Sequence, residues 1–267
     1  MWSELVERVW SECPLHLRDM GYLNEMLGIR DRWRSFKTAW EPHCQRSRQL
    51  VLAAAERCVR RRRAVVIGSG WLHDVPLAEL AERFEEVLLV DLFHPQGVRW
   101  QASRYKNVRL QAADITGTLE AVWRAAEVPG SPLPQSAPGL LVDADPADLT
   151  VSLNILSQLP CKPERYLRQR GHHSASAIAA YCHNLIVAHL DYLRRLAGVV
   201  CLIADREILT FDSTGKLLRS EPTLYGVDFP YRGEEWIWPL VPRQTHYPHH
   251  TQHLRVIGVI DIHDSRG

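Results

Sequence analysis

The sequence predicts an α/β fold: a doubly wound sheet of about seven strands, mostly parallel, preceded by an N-terminal helical segment. Three observations carry the prediction. First, the β-branched run Ala64-Val65-Val66-Ile67 stops at Gly68-Ser69-Gly70, and a helical pattern follows with Leu77, Leu80, Ala81 and Phe84 at i, i+3, i+4 and i+7. A second apolar run, Val87-Leu88-Leu89-Val90, then ends on Asp91, so that strand, glycine turn, helix, strand and acid make one βαβ unit of nucleotide-binding type. Second, further strand patterns at 108–111, 149–156 and 199–204 alternate with helical patterns. The last of these is apolar throughout, which reads as a strand buried on both faces. Third, the alternation stops after residue 208, where a hairpin (208–219) and two runs at 235–241 and 254–262 follow without a convincing helix between them.

Residues 1–60 read as helices. Leu5, Val6, Val9 and Trp10 form one apolar stripe, and a second helix is predicted from Pro42 to Arg60 with Leu50, Val51, Ala54 and Cys58 facing inward. Between them Trp33, Phe36 and Trp40 stand at i, i+3 and i+7, a spacing that suits either core or a lid over a site. Arg60-Arg61-Arg62-Arg63 fits a solvated helix end, where cations suit the dipole. After Asp91 come a loop, a short helix with Val98, Trp100 and Ala102, the strand ending near Asp114, and a helix from Thr118 to Ala126. Residues 127–147, rich in proline and glycine, are a loop. The fourth strand, 149–156, is followed by a polar connection at 160–171 and a long helix from Ser174 to Leu196 that Gly198 ends.

Bulk properties bound the function. The 267 residues suffice for one large α/β domain with an appendage. A formal net charge of +1 offers no footprint for nucleic acid or an anionic membrane. No apolar run approaches the ~18 residues that span a bilayer. Met1-Trp2-Ser3-Glu4 carries an acid where a signal peptide would need bases, and the cysteines are scattered without a Cys-x-x-Cys pair. A cytoplasmic location with reduced thiols is the expectation.

The alternation of strands and helices closing on a strand pair resembles the class I S-adenosylmethionine-dependent methyltransferases, whose Rossmann-like sheet is parallel except for a last strand inserted as the C-terminal half of a hairpin. The resemblance covers about residues 45–262. It implies an N-terminal helical lid or cap over 1–44, a methyltransferase-like domain over 45–267, and S-adenosyl-L-methionine as cofactor. It matches Gly68, Ser69 and Gly70 to the family's glycine turn, Asp91 to the acid that takes the ribose hydroxyls, Asp114 to the residue that reaches the adenine amino group, and the Asn154–Gln158 stretch to its fourth motif. Asn154 would thus touch the cofactor, while Ser157, Gln158 and Trp236 would line the acceptor site. An Asp after a strand also serves as an ordinary turn or helix cap, an alternative that stays open for Asp114. The chain departs from the pattern at Val66, where the family carries an acid that positions the cofactor's amino-acid end; Asp74 or His73 in the following turn would have to substitute.

A methyl already activated on sulfur asks mainly for alignment of its acceptor, with a base added when the acceptor must lose a proton. Candidate bases are His246, His249, His250 and His253 in the late loop and His94 past the cofactor acid; His249 and His250 are the catalytic choices because Pro248 stiffens their turn. The same histidine cluster lacks a Cys or acid, so no metal site is assigned. The nine tryptophans suit a small, partly apolar acceptor methylated at oxygen or nitrogen, rather than a nucleic acid, which would also call for the absent Asn/Asp-Pro-Pro-Tyr signature. Two other readings remain: a methyltransferase-like fold kept as a non-catalytic binding or scaffold protein, and an NAD(P)-dependent oxidoreductase. For the latter, Gly68-Ser69-Gly70-Trp71-Leu72-His73 lacks the third glycine.

Overall fold

The computed structural model describes residues 13–137, 146–242 and 250–264. The predicted stripe Leu5–Trp10 lies outside the described residues, as do His246 and His249. Helix α1 (Leu15–Asp19) leads into α2 (Tyr22–Arg57), which runs through the position where the sequence suggested a start at Pro42. A kink at Phe36 (φ −117°, ψ 15°) divides α2. It lies in the turns preceding Pro42, whose ring crowds the carbonyl four residues back and whose missing N–H leaves one rung of the ladder open. The chain then alternates: β1 (Arg63–Ile67), α3 (Leu77–Arg83), β2 (Glu86–Asp91), α4 (Gln96–Ala102), β3 (Val108–Ala112), α5 (Leu119–Ala125) and β4 (Leu149–Leu153). A 3₁₀ turn (Leu156–Gln158) leads to α6 (Cys161–Arg170), α7 (Ala175–Arg195), β5 (Val199–Asp212), β6 (Leu217–Pro222), β7 (Glu234–Val241) and β8 (His250–Val259).

The sheet order is β3-β2-β1-β4-β5-β8-β7, with β6 attached to the outer half of β5. Strands β1 to β5 pair in parallel, and β8 returns antiparallel between β5 and β7, as the resemblance implies. Alternation along each strand wraps both faces. Ala64, Val66, Val87, Leu89, Cys201 and Ile203 pack with Val51, Ala54 and Ala55 of α2, whereas Val65, Ile67, Leu88, Val90, Val200 and Leu202 pack with Ile186, Leu190 and Leu193 of α7. Each such fully buried aliphatic side chain contributes roughly 1.5–3 kcal/mol relative to exposure. A polar pair sits inside the second face, where Ser152 Oγ and His189 Nε2 lie 2.9 Å apart.

Three expectations change. The connection at 160–171 is helical: Tyr166 and Leu167 on α6 are buried against α5 and α7, and Gly171 closes the helix in a left-handed conformation (φ 72°). The fourth strand ends at Leu153 because Asn154 turns left-handed (φ 52°), which breaks the extended run. The first arm of the 208–219 hairpin is not separate. It continues β5, whose pairing changes from β4 to β6 at Glu207 while β8 follows on the other side. A register shift between Asp205 and Glu207 marks the changeover. No helix of the described residues is long and apolar enough to cross a membrane.

Candidate functional site

The carboxyl ends of β1, β2 and β4 converge where the strand order turns back on itself, the usual ligand side of an open α/β sheet. β1 delivers Gly68-Ser69-Gly70 there. Gly68 N and Ser69 N both donate to the Val90 carbonyl, which ties the turn to the end of β2. The two glycines do different things. A Cβ on Gly68 (φ +83°) would meet Ile155 Cγ2 at 2.1 Å and the Leu153 carbonyl oxygen at 2.8 Å, so Gly68 lets β4 pass close by. A Cβ on Gly70 (φ +49°) would meet nothing within 4 Å, and it faces open space.

Asp91 closes the turn from the β2 side. Its Oδ2 accepts from Gly70 N and its Oδ1 from Leu92 N, each at 2.8 Å. Burial pushes its carboxyl up, against the opposing pull of those two N–H groups and of His94. His94 is buried beside it with Nε2 3.1 Å from the Gln111 carbonyl, which can only accept, so Nε2 carries the proton. Burial holds His94 below the ordinary histidine range, with the Gln111 carbonyl and Asp91 pulling the other way.

Asp114 is engaged within its own loop. Its Oδ1 accepts from Thr116 N at 2.9 Å and Thr116 Oγ1 at 2.7 Å, and its Oδ2 from Leu119 N at 2.8 Å. This is the turn and helix-start geometry that the sequence left open. A buried hydroxyl chain, Thr116 Oγ1 to Thr118 Oγ1 at 2.9 Å and on to Tyr181 OH at 2.8 Å, backs the loop from α7.

On the β4 side, Asn154 is 7% exposed, and its Nδ2 donates to Asp74 Oδ2 at 2.7 Å. Asn154 Oδ1 is buried without a partner, as is Ser69 Oγ. Asn154 and Leu72 (φ 63°) are two of the three non-glycine residues in left-handed conformation among the described residues, and both border the glycine turn. Gln158 Nε2 donates to the Asn154 carbonyl at 2.6 Å, and Ser157 Oγ donates to Asp205 Oδ1 at 2.7 Å. Asp205 is buried at the end of the parallel part of β5, and burial raises its carboxyl above the usual range.

The first half of α2 stands against this edge. Trp71 Nε1 donates to the Met26 carbonyl at 2.7 Å, Lys162 Nζ bonds Glu25 Oε2 at 2.7 Å, and Trp33 stacks on His73 with ring centres 4.1 Å apart. The second half supplies His43, stacked on Trp238 at 3.9 Å.

Of the residues picked from sequence, Gly68, Ser69, Gly70, Asp91, Asn154, Ser157 and Gln158 come together on one edge. Trp236 is placed elsewhere. It is 6% exposed within the core on the α2 face, and its indole N–H is spent on His43 Nδ1 at 3.0 Å. His250 is not brought to the site either: its backbone pairs with Asp212 at the far end of β5, roughly 20 Å along the strand from Asp205 at about 3.3 Å per residue. His253 pairs with Leu209 on the same extension, its ring against Phe211. His43 escaped the sequence reading because only the packing of α2 on β7 carries it to Asn154. Asp74 was visible as a substitute for the acid missing at Val66, but its bond to Asn154 was not.

No protein-family model matches the chain, and no curated protein matches its sequence. Among solved structures, the chain is similar to Burkholderia thailandensis 1,6-didemethyltoxoflavin-N1-methyltransferase with bound 1,6-didemethyltoxoflavin and S-adenosylhomocysteine, at 14% identity over 91% of this chain and 87% of that one, with a TM-score of 0.41. It is also similar to the N-methyltransferase NodS from Bradyrhizobium japonicum with S-adenosylhomocysteine (14% identity, 95% and 96% covered, TM-score 0.35). A third likeness is to an rRNA methylase from Streptococcus thermophilus (12% identity, 78% and 93% covered, TM-score 0.33). Likeness at this level carries nothing over about ligand or acceptor.

Proposed function

We propose that this protein is an S-adenosylmethionine-dependent methyltransferase that acts on a small-molecule acceptor at oxygen or nitrogen. The observation that supports it best is the glycine turn at the carboxyl edge, with Gly70 N–H held by the acid that ends β2 and its Cβ direction facing open space. The residues present fit the cofactor. A cradle free of side chain at Gly70 and two buried oxygens without partners, Ser69 Oγ and Asn154 Oδ1, offer contacts to a polar ligand. Asp91 would take the ribose hydroxyls through the lone pairs that its two backbone donors leave over, and the loop held by Asp114 would border the adenine. When bound, the cofactor supplies a methyl group on a sulfonium that is already activated for transfer.

The chain's own part is positioning. Ser157 and Gln158 are fixed by Asp205 and by the Asn154 carbonyl, and they form a rigid floor over which an acceptor would be aligned. The part of α2 before the kink would cover the site and exclude water, the cap function proposed for residues 1–44. Such a cover, together with the near-zero net charge, favours a small acceptor over nucleic acid.

Calorimetry with S-adenosylhomocysteine, S-adenosylmethionine and NADH tests the reading. Binding of the first two, with none or far weaker binding of NADH, is expected. NADH binding tighter than S-adenosylhomocysteine would transfer the site to a dehydrogenase. Binding of none would leave a methyltransferase-like scaffold.

A further inference from the structure

Val66, where an acid would be expected, is fully buried on the face of the sheet that packs against α2. A carboxylate at that position would be buried in the apolar cluster that the sheet shares with α2, and its desolvation opposes it. On the same face, at the carboxyl edge, a chain of polar side chains runs Trp236–His43–Asn154–Asp74.

The donors and acceptors of this chain do not balance. An indole only donates, so Trp236 Nε1–H donates a hydrogen bond to His43 Nδ1. Burial lowers the His43 pKa to about 3, so the ring is neutral and its own proton sits on Nε2, 3.2 Å from the Asn154 amide. With the amide nitrogen toward Asp74, Asn154 Oδ1 is left buried without a donor. With the amide turned so that its oxygen accepts from His43 Nε2–H, that oxygen lies 2.7 Å from the Asp74 carboxylate, two acceptors facing each other. With Asp74 ionised neither orientation balances, since the first also sets His43 Nε2–H against the amide nitrogen; burial raises the Asp74 carboxyl, against the pull of the Asn154 amide and of Arg48. Arg48 is near enough for its charge to pull the Asp74 carboxyl down, but it makes no bond to it: Nη1 is spent on the His73 carbonyl and Nη2 on Glu41. Among the described residues no salt bridge reaches Asp74. Asn154 is held beside Asp74 in a left-handed conformation, and the pair adjoins the Gly68-Ser69-Gly70 turn.

We infer that Asp74 and Asn154 form a subsite for a primary ammonium group, the one on the amino-acid end of the cofactor, and that His43 and Trp236 hold that subsite in place. An ammonium brings three donors and a positive charge to an amide oxygen without a donor and to a buried carboxylate bonded by no cation. The inference rests on the cofactor reading above, and the ligands of the test separate the two.

The test compares S-adenosylhomocysteine, which carries the ammonium, with 5′-methylthioadenosine, which ends beyond the sulfur and has no amino acid. Asp74→Asn keeps the shape and removes the charge; Asn154→Gly removes the amide and tolerates the positive φ. Thermal melting and circular dichroism confirm folding of each variant. The expected result is a loss of about 10- to 100-fold in S-adenosylhomocysteine affinity in both variants, with 5′-methylthioadenosine bound within about threefold of wild type. Wild-type affinity for S-adenosylhomocysteine in Asp74→Asn, or an equal loss for both ligands, would overturn the subsite. If the unaltered protein binds neither nucleoside, the cofactor reading falls and the subsite falls with it.

Discussion

Replacing Gly68 and Gly70 separately by alanine should split stability from binding. At Gly68 the new methyl would stand 2.1 Å from Ile155 Cγ2 and 2.8 Å from the Leu153 carbonyl oxygen, at φ +83°. The Ile155 methyl can turn aside, but the Leu153 oxygen belongs to β4 and cannot move without the strand. Left-handed backbone costs a non-glycine residue roughly 1–2 kcal/mol, and overpacking a tight site adds roughly 1–3 kcal/mol. Gly68→Ala should therefore lose about 2–5 kcal/mol, on the order of a 4–9 °C fall in Tm for a chain of this size. At Gly70 (φ +49°) no atom lies within 4 Å of the new methyl, so only the backbone term remains, about 1 kcal/mol. The methyl would instead occupy the space assigned to the cofactor, and S-adenosylhomocysteine affinity should drop at least about tenfold. Urea unfolding read by circular dichroism gives the stabilities, and calorimetry gives the affinities. Gly68→Ala within ~0.5 kcal/mol of wild type, or Gly70→Ala with unchanged affinity, would refute the division of labour between the two glycines.

Asp91→Ala should weaken S-adenosylhomocysteine by about one to two orders of magnitude, since it removes the ribose acceptor together with the anchor of Gly70 N–H; an unchanged dissociation constant would remove Asp91 from the site. Trp40→Ala should cost about 3–5 kcal/mol, because the ring is buried, meets Trp238 edge-on and donates to the Leu240 carbonyl. A shift in urea midpoint worth less than ~1 kcal/mol would mean that α2 packs loosely on β7. Burial lowers His189 to about 4, a depressed pKa, so its contribution is present above pH ~6.5 and is lost as pH falls towards 4. His189→Gln should flatten that fall between pH 7 and 5, and parallel stability curves for variant and wild type would contradict it. For Asp205 the sign reverses. Burial raises its pKa, so the unfolded chain holds fewer protons there and stability declines as pH rises above about 4 through the raised value. Asp205→Asn should thus gain on wild type from pH 4.5 to 8 in urea unfolding; a gap that narrows would mean an ionised Asp205 is favoured where it sits.

Much of this protein is written locally in its sequence. Short continuous apolar runs at 64–67, 87–90 and 199–204 and periodicity 3.6 in 77–84 and 174–196 are set by which neighbours must be buried, so strands, helices and the βαβ unit could be read off the chain. Gly68, Gly70 and Asp91 were legible for the same reason, since turn, approach and acid lie in one short segment. Tertiary structure decided the rest. Pro42 reads as a helix start, yet the packing of α2 on the sheet carries the helix through it at the expense of a kink. His250 looked suited to catalysis until the continuation of β5 through Asp212 carried its backbone to the far end of a strand pair. Trp236 looked like a pocket wall, but its position in β7 turns it into the core and hands its N–H to His43. The association of His43, Asn154 and Asp74 joins residues from α2, the end of β4 and the turn after β1. Chain-distant side chains meet only through the register of the sheet and the docking of the helix on it, and no local pattern encodes either.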